Sequence, residues 1–334
     1  MTTTPERRRG WIIGGAVGVV VVGLVLAPLW VSPVEVPPDL NPSPPTTVAA
    51  PPPTEPPECG DPLASLRPAG PSTADVAPGS YMANLQAQGR LRVGVSPTTL
   101  LFSSVNPLTG QFEGFDDDIA REVAAALFGD RDPSRIEFVA IPQTDRVPAL
   151  VEGRVDMVVS TFSINCTRRQ DIAFSTEYFT SGQRLLVRKE DQAMTLDTLA
   201  SEGKRVCAAN GSTSLDLLHD LFPPDQVDSA ASHTECLSLL QQGQVDGVST
   251  DDTILAGMVV QDPNVTIVGD RLTDEHYGLG LPPGHDDWVR YVNGVLENVR
   301  SSGRWGQIYN DHLLGPMSSI NPTTPAPPPA VYAD

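Results

Sequence analysis

Positive charge is scarce in this sequence. Its 334 residues include 22 lysines and arginines against 41 aspartates and glutamates, a formal net charge of -19 at pH 7. Nucleic-acid binding needs a basic face for the phosphates, so this balance argues against nucleic acid as a partner. It says little about the fold. Arginines that stand side by side, such as Arg168 and Arg169, therefore need a specific explanation.

Cysteine is also rare. There is no CxxC pair and no Cys/His spacing typical of zinc, so the sequence predicts neither a metal site nor a cofactor. In an exported protein, four cysteines predict two disulfides, for which three pairings are possible. The four are Cys59, Cys166, Cys207 and Cys236.

A long apolar run occurs only near the start. About 20 uncharged residues suffice to cross the hydrocarbon core of a membrane, and residues 11–31 follow three arginines that favour the cytoplasmic side. We expect a cytoplasmic basic tail at 1–10 and a single-pass membrane anchor at 11–31, with the remainder extracytoplasmic. A cleaved signal peptide is the alternative, but the run is long and Pro28 follows Ala27. The distance to the first cysteine argues against a lipoprotein.

The prolines, 33 in all, lie mostly at the two ends of the chain. Residues 32–58 should form an extended polyproline-like tether rather than a core. At roughly 3 Å per residue, such a tether would hold a domain up to about 80 Å from the bilayer. Residues 315–334 are interpreted as a similar disordered spacer, with a partner-docking segment as the alternative.

Between the two proline-rich ends, apolar periodicity predicts alternating strands and helices, which indicates an α/β protein with largely parallel sheets. The predicted strands are 90–96, 135–141, 155–160, 183–189, 205–210, 247–250 and 265–268. The predicted helices are 115–127, 147–153, 214–221, 234–242, 252–260, 288–301 and 305–313.

One segment is repeated. Residues 150–160 and 240–250 share a helix, a glycine, a Val-Asp pair and a strand, and polar residues follow each. This predicts two similar lobes that direct the carboxyl ends of their strands toward a shared crevice, where open α/β sheets bind ligands.

Six motifs in order resemble those of the extracytoplasmic solute-binding proteins of polar amino-acid ABC importers (family 3), most of all the actinobacterial glutamine/glutamate-binding members. The resemblance covers about residues 90–314. The motifs are Phe112-Glu-Gly-Phe-Asp-Asp-Asp-Ile-Ala120, Arg146-Val-Pro-Ala-Leu150, Gly153-Arg-Val-Asp156, Arg168-Arg-Gln-Asp-Ile-Ala-Phe-Ser175, Val206-Cys-Ala-Ala-Asn-Gly-Ser-Thr-Ser214 and Tyr277-Gly-Leu-Gly280.

The family implies a type II periplasmic-binding-protein fold, with two lobes joined by two crossing strands. Transferred to this numbering, it gives an N-terminal arm at 59–89, lobe 1 with the hinge strands at 90–186 and 273–314, and lobe 2 at 187–272.

The resemblance also explains the paired arginines. A zwitterion enclosed in a cleft needs partners for both charges, because an unpaired buried charge is costly, and a guanidinium matches a carboxylate with two parallel hydrogen bonds. The family's carboxylate-binding arginine corresponds to Arg168. Ser163 and Thr161 correspond to its hydroxyl and backbone ligands. Arg169 would face solvent. Without the other motifs, Arg168 would be interpreted as a surface arginine at a helix end.

From lobe 2, a helix start favours an anion through its free N–H groups and its dipole. Ser212 and Thr213 stand there and are expected to bind the same carboxylate, although this segment is also simply a good helix start. Asp251 falls where the family places its ammonium acceptor, and Asp252 would cap the next helix. A slip of one residue would exchange these two roles. Phe102 is a candidate apolar wall, with core packing as the equal alternative.

The side-chain pocket would contain Arg146 and His233, which correspond to residues that glutamate/aspartate binders use. Protonation of His233 would then raise the affinity for glutamate as the pH falls from about 8 to 6. The first-strand arginine of those binders would fall near Ser96, which is uncharged, so the acidic preference is expected to be less strict. An exposed loop histidine and a structural arginine are the simpler alternatives.

Lobe assignment implies the disulfide pairing. Cys207 and Cys236 both belong to lobe 2, while Cys59 adjoins the tether and Cys166 lies in lobe 1. A bond between Cys166 and lobe 2 would lock the hinge. We therefore expect Cys59–Cys166 and Cys207–Cys236.

Other classes of protein are less favoured. Some relatives are dehydratases, but no nucleophile–base arrangement is evident. A receptor channel would need further apolar runs. An amino-acid sensor that reports to a membrane signalling partner is the main alternative to an importer component, and the permanent anchor favours it. In either role the chain should be a monomer. A neighbouring permease gene would favour import, and a receptor or kinase gene would favour sensing.

Overall fold

The computed structural model describes residues 58–69 and 76–333. The predicted anchor at 11–31 and nearly all of the tether lie outside the described residues. Within the described part, no helix is both long enough and apolar enough to cross a membrane.

The strands are β1 (Leu91–Val95), β2 (Thr98–Thr99), β3 (Ser103–Val105), β4 (Phe112–Glu113), β5 (Ile136–Ala140), β6 (Met157–Val158), β7 (Ala173–Phe174), β8 (Phe179–Ser181), β9 (Gln183–Arg188), β10 (Val206–Ala209), β11 (Val227–Ala230), β12 (Gly247–Asp251), β13 (Val265–Val268), β14 (Glu275–Tyr277) and β15 (Gly280–Leu281). The helices are α1 (Tyr81–Gln88), α2 (Phe115–Phe128), α3 (Arg146–Val151), α4 (Cys166–Arg169), α5 (Leu196–Ser201), α6 (Thr213–Leu221), α7 (His233–Gln241), α8 (Asp252–Gln261), α9 (Asp286–Ser301) and α10 (Arg304–His312).

Two five-stranded sheets form two lobes, as the α/β prediction required. Lobe 1 has the order β5-β1-β6-β15-β7 and lobe 2 the order β11-β10-β12-β9-β13. In each order, the first three strands are parallel. The fourth strand, β15 in lobe 1 and β9 in lobe 2, arrives from the other lobe and pairs antiparallel with the third. The parallel strand β10 is buried on both faces, since none of its four consecutive residues has exposed surface.

The lobes are joined by β8 and β14, an antiparallel pair that forms a sheet of its own. These are the two predicted crossing strands. The predicted boundary between the lobes at residues 186 and 187 is wrong, however. All of β9 belongs to the sheet of lobe 2, where it pairs with β12 and β13, so lobe 2 begins near Gln183.

The N-terminal arm is attached to lobe 1 by the disulfide Cys59–Cys166. The expectation that Arg169 faces solvent is wrong. Its Nε donates to the carbonyl of Pro62 at 2.7 Å, and its guanidinium lies 5.7 Å from the centre of the Phe174 ring. Arg169 thus holds the arm against lobe 1. The second disulfide, Cys207–Cys236, lies within lobe 2, so both expected pairings are confirmed.

The interpretation of residues 315–334 as a disordered spacer is also wrong for the described part. Backbone hydrogen bonds join Ser65 to Val331 at 3.0 Å and Ala333 to Ser65 at 3.0 Å. The Tyr332 hydroxyl donates to Glu297 at 2.5 Å. Proline removes donors but does not prevent packing, and these contacts fix the tail across lobe 1 beside the arm.

Candidate functional site between the lobes

One cavity between the lobes has about 220 Å³ of empty volume, counting space open to solvent. Eight of the nine predicted ligand residues line it: Thr161, Ser163, Arg168 and Arg146 from lobe 1, and Ser212, Thr213, His233 and Asp251 from lobe 2. The rest of the wall consists of Gln143, Ser214, Thr250 and Ile254. The lining is mostly polar and includes charges of both signs.

Phe102 is the predicted site residue that does not line this cavity. Its side chain is fully buried in the core of lobe 1, with its ring centre 5.1 Å from that of Phe179 and 6.0 Å from that of Tyr277. Phe102 is therefore a core residue, as the alternative interpretation had it, and not a wall of the cavity.

Arg168 is positioned by the short helix α4, whose N-cap Asn165 accepts a hydrogen bond from the Arg168 backbone N–H at 2.9 Å. Its guanidinium donates to the carbonyl of Ser163 at 2.5 Å and, across the cleft, to the carbonyl of Gly211 at 3.2 Å. Burial lowers the pKa of Arg168 to about 10, so it stays charged at neutral pH.

Arg146 opens helix α3 and is 3% exposed. It donates to the carbonyls of Gln143, Ser160 and Gly211 at 3.0–3.1 Å. Like Arg168, it lies over the Phe162 ring, at 4.4 Å for Arg146 and 4.8 Å for Arg168. Burial first, and then the charge of Arg168, lower the pKa of Arg146 well below its ordinary value. The two guanidiniums thus share one wall, and neither forms an ion pair with a carboxylate of the described residues.

Asp251 supplies the opposing charge from lobe 2. Its Oδ2 accepts from the Tyr277 hydroxyl, while its Oδ1 is buried and has no hydrogen-bond partner in the described chain. Burial, with the nearby Glu275 next, raises the pKa of Asp251 to about 8. A buried acceptor without a partner is costly, and a ligand cation would satisfy it.

The expectation that Asp252 caps helix α8 is wrong. Asp252 is the first residue of the helix and Asp251 occupies the N-cap position, with no capping hydrogen bond from its side chain. The Asp252 carboxylate instead accepts from Ser181 at 2.8 Å and from Arg271 at 2.6 Å. Its hydrogen bonds are therefore made within the protein, and it does not line the cavity.

Helix α6 begins at the cavity wall. Ser212 is its N-cap, and the Ser212 hydroxyl accepts from the Leu215 N–H at 3.1 Å. The Thr213 hydroxyl donates to Glu275 at 3.0 Å. Both hydroxyls already have partners, so the anion-binding capacity here rests on the helix N-terminus itself.

Gln143 and His233 meet across the cleft through their side-chain nitrogens. His233 is fully enclosed, and burial first, then the charge of Arg146, lower its pKa to about 3. Burial in this closed form, without ligand, therefore opposes the expected charging of His233 between pH 8 and 6. The pair also lines a second chamber, of about 620 Å³ counting space open to solvent, and thus forms a neutral partition between the two spaces.

The lobes are in close contact. Gly211 has a φ of +74°, and a Cβ there would meet Thr144 of lobe 1 at 3.1 Å. The Gly211 carbonyl accepts from both arginines of lobe 1. The Thr234 hydroxyl donates to the Thr98 carbonyl at 3.0 Å. The structure is therefore a closed form of the cleft.

Sequence reasoning missed Gln143, Glu275 and the role of Tyr277. Tyr277 stood inside a recognised motif, and its position on a predicted crossing strand was the available signal. Gln143 meets His233 only across the cleft, a contact between lobes that no local pattern encodes, and Glu275 acts from the hinge strand β14 through its bond to Thr213.

The sequence matches the model of the bacterial extracellular solute-binding proteins, family 3, over residues 91–315. It is 33% identical to the ABC transporter glutamine-binding protein GlnH of Bacillus subtilis over 228 residues, 68% of this chain and 82% of the relative. It is 32% identical to the glutamate-binding protein GluB of Corynebacterium glutamicum, over 60% of this chain and 70% of the relative.

Among solved structures, an ancestral arginine-binding protein bound to glutamine is similar. It has a TM-score of 0.62 and 30% identity over 67% of this chain and 98% of that one. The family match spans both lobes and the hinge strands between them. This chain belongs to family 3 of the bacterial extracellular solute-binding proteins.

Proposed function

We propose that the chain captures a polar amino acid in the closing cleft and delivers it to an ABC importer, with glutamate and aspartate preferred over glutamine and asparagine. One observation carries the proposal. The cavity joins a buried guanidinium, Arg146, and a half-buried one, Arg168, to the buried Asp251 carboxylate of lobe 2, one oxygen of which has no partner among the described residues. The names of the matched relatives, a glutamine-binding and a glutamate-binding protein, support the ligand class.

A zwitterion complements these charges. Its carboxylate would accept from Arg168 and from the N-terminus of α6, and its ammonium would donate to Asp251 Oδ1. The neutral Gln143–His233 partition would limit the length of the ligand side chain.

The acidic preference rests on Arg146 alone, since His233 is neutral. The lining holds two arginines, Arg146 and Arg168, against the one carboxylate of Asp251. The α-carboxylate and ammonium of any amino acid leave that balance unchanged, so a second ligand carboxylate would neutralise the surplus positive charge. The donors of Arg146 that now meet backbone carbonyls would turn to that carboxylate.

Titration calorimetry with glutamate and glutamine tests this proposal. Wild type should bind glutamate more tightly, and Arg146→Met should weaken glutamate by about 2–5 kcal/mol, more than glutamine, because the pair is buried. Arg154→Met is the matched control, since Arg154 is exposed and bonded to Asp145 and Glu152. Tighter binding of glutamine by wild type, or an equal loss for both ligands in Arg146→Met, would contradict the acidic preference.

We also propose that the chain acts as a monomeric binding protein rather than an enzyme, outside the cytoplasm on an anchor at residues 11–31. The name of the Bacillus relative supports the binding role, and the family's extracellular description supports the location outside the cytoplasm. Fractionation should find the intact chain in the membrane. A mature form in the medium that begins near residue 30 would contradict the anchor. Loss of amino-acid uptake on deletion would favour import, and unchanged uptake with altered signalling would favour the sensor alternative.

A further inference from the structure

The motif Phe112–Ala120 carries much of the resemblance but contributed no ligand residue to the proposed site. In the structure its Asp116, in the first turn of α2, has no exposed surface. The Asp116 Oδ2 accepts from the backbone N–H of Thr161 at 2.8 Å, and its Oδ1 accepts from the Tyr178 hydroxyl at 2.6 Å. Asp116 therefore lies behind the cavity wall and binds the loop that forms it.

Thr161 needs such a partner. Its φ is +40°, a left-handed conformation that is rare for a β-branched residue. Its buried N–H would otherwise lack an acceptor. Its carbonyl faces Arg146 Nη1 at 3.5 Å, and the residue lines the cavity. The orientation of the Thr161 peptide group thus determines the position of the loop relative to Arg146 and to a ligand in the cavity.

Helix α2 is itself fixed at this point. The Asp116 N–H donates to the carbonyl of Phe102 at 2.8 Å. Gly114, just before the helix, lies so close to that carbonyl that a Cβ would meet its oxygen at 2.1 Å. The carboxylate of Asp116 is therefore anchored from behind and cannot easily follow a loop that moves.

We propose that Asp116 is a positioning residue for ligand binding, which holds the Thr161 peptide in its left-handed, binding-competent orientation through the Thr161 N–H···Oδ2 hydrogen bond. The affinity measurements that test this proposal rest on the proposed amino-acid function. The hydrogen exchange of the Thr161 amide does not. Asp116 would then give the motif an effect on ligand affinity. It would act through the Thr161 loop, without touching the ligand itself.

Asp117 offers a matched control. It is the next residue of α2 and also fully buried, but it accepts from Ser103 at 2.9 Å and does not touch the ligand loop. Asp116→Leu should bind glutamate about 10- to 100-fold more weakly than wild type, because it leaves a buried N–H unpaired and frees the loop. Asp117→Leu should lower the melting temperature without a comparable loss of affinity.

Asp116→Asn tests the mechanism, because an amide oxygen can still accept from the Thr161 N–H while its NH₂ donates to Tyr178. It should bind within about threefold of wild type, since the critical acceptor is kept. Thr161→Gly removes the strain of the left-handed conformation. The loss of affinity caused by Asp116→Leu should therefore be much smaller in the Thr161→Gly background than in the wild-type background.

Hydrogen exchange of the Thr161 amide supplies the readout that needs no ligand. The amide should be protected in wild type and Asp116→Asn, and should exchange faster in Asp116→Leu but not in Asp117→Leu. If Asp116→Leu fails to fold, Asp116→Ala replaces it, because it removes the same acceptor with a smaller side chain. Tyr178→Phe is a further control that keeps the Thr161 bond and should retain both protection and affinity. Equal losses in the two leucine variants, or fast exchange in wild type, would overturn the proposal. Normal protection in a protein that binds no amino acid would contradict the proposed function alone.

Discussion

The two lobes share a sheet architecture but bring opposite charges to the cavity between them. Lobe 1 supplies the guanidiniums of Arg146 and Arg168, and lobe 2 supplies the carboxylate of Asp251 and the N-terminus of α6. Lobe 1 offers no carboxylate to a ligand ammonium, and lobe 2 offers a ligand carboxylate only the partial charge of a helix N-terminus. On the proposed site, a ligand should therefore favour closure, because the closed cleft places the groups of both lobes around it.

The largest effect should come from removing the cation of lobe 1. Arg168→Met should cost about 2–5 kcal/mol of binding free energy for every amino acid, because it leaves the ligand carboxylate without its bidentate partner. Arg169→Met is the control, since Arg169 lies on the same helix but binds the arm. Calorimetry that gives both variants the affinity of wild type would assign the carboxylate to lobe 2 alone.

A smaller effect should follow from a methyl group on the turn of lobe 2. Gly211→Ala introduces backbone strain in every state, but it meets Thr144 only when the cleft closes, at 3.1 Å. We expect about 1–3 kcal/mol less affinity, as for overpacked contacts. Gly243→Ala has a similar φ of +68° with nothing within 4 Å. It should lose stability by a comparable strain but no affinity. Equal affinities in calorimetry would mean that the lobes need not approach this closely.

The smallest effect concerns pH and the carboxylate of lobe 2. The pKa of Asp251 is about 8 without ligand, and a bound ammonium should lower it. The complex then holds fewer protons than the free protein, so affinity should rise from pH 6 to 8, by at most about tenfold per pH unit for one linked proton.

Calorimetry in buffers of different ionisation enthalpy should detect the proton released on binding, and Asp251→Asn should abolish that release. The direction is opposite to the one that a protonated His233 would give. An affinity for glutamate that falls over the same range would restore His233 as the charged group.

The sequence predicted those features that depend on local pattern. Apolar periodicity predicted most helices and the buried strands, and the family resemblance carried by the ordered motifs implied two lobes, a hinge and most of the cavity lining. The β6 strand was predicted over 155–160 but spans only Met157–Val158, because apolar burial continues there without strand pairing.

Features that depend on tertiary contact were missed. Asp252 resembled a helix cap by position, yet Arg271, which lies beyond the next strand, determines its role. Arg169 looked solvated because the arm that covers it is distant in sequence. The proline-rich tail looked like spacer because composition does not reveal that Tyr332 reaches Glu297.

The pairing of Ser65 with Val331 and Ala333 places both ends of the described chain side by side on lobe 1. Any pull transmitted along the preceding segment would therefore load lobe 1, while lobe 2 is connected covalently only through the β8 and β14 crossings. With the proposed anchor, lobe 1 would be the stationary lobe and lobe 2 the one that moves on closure. Energy transfer between a fluorophore at the C-terminus and one on lobe 2 would change when the cleft closes. Such a pair would report closure without a label near the ligand.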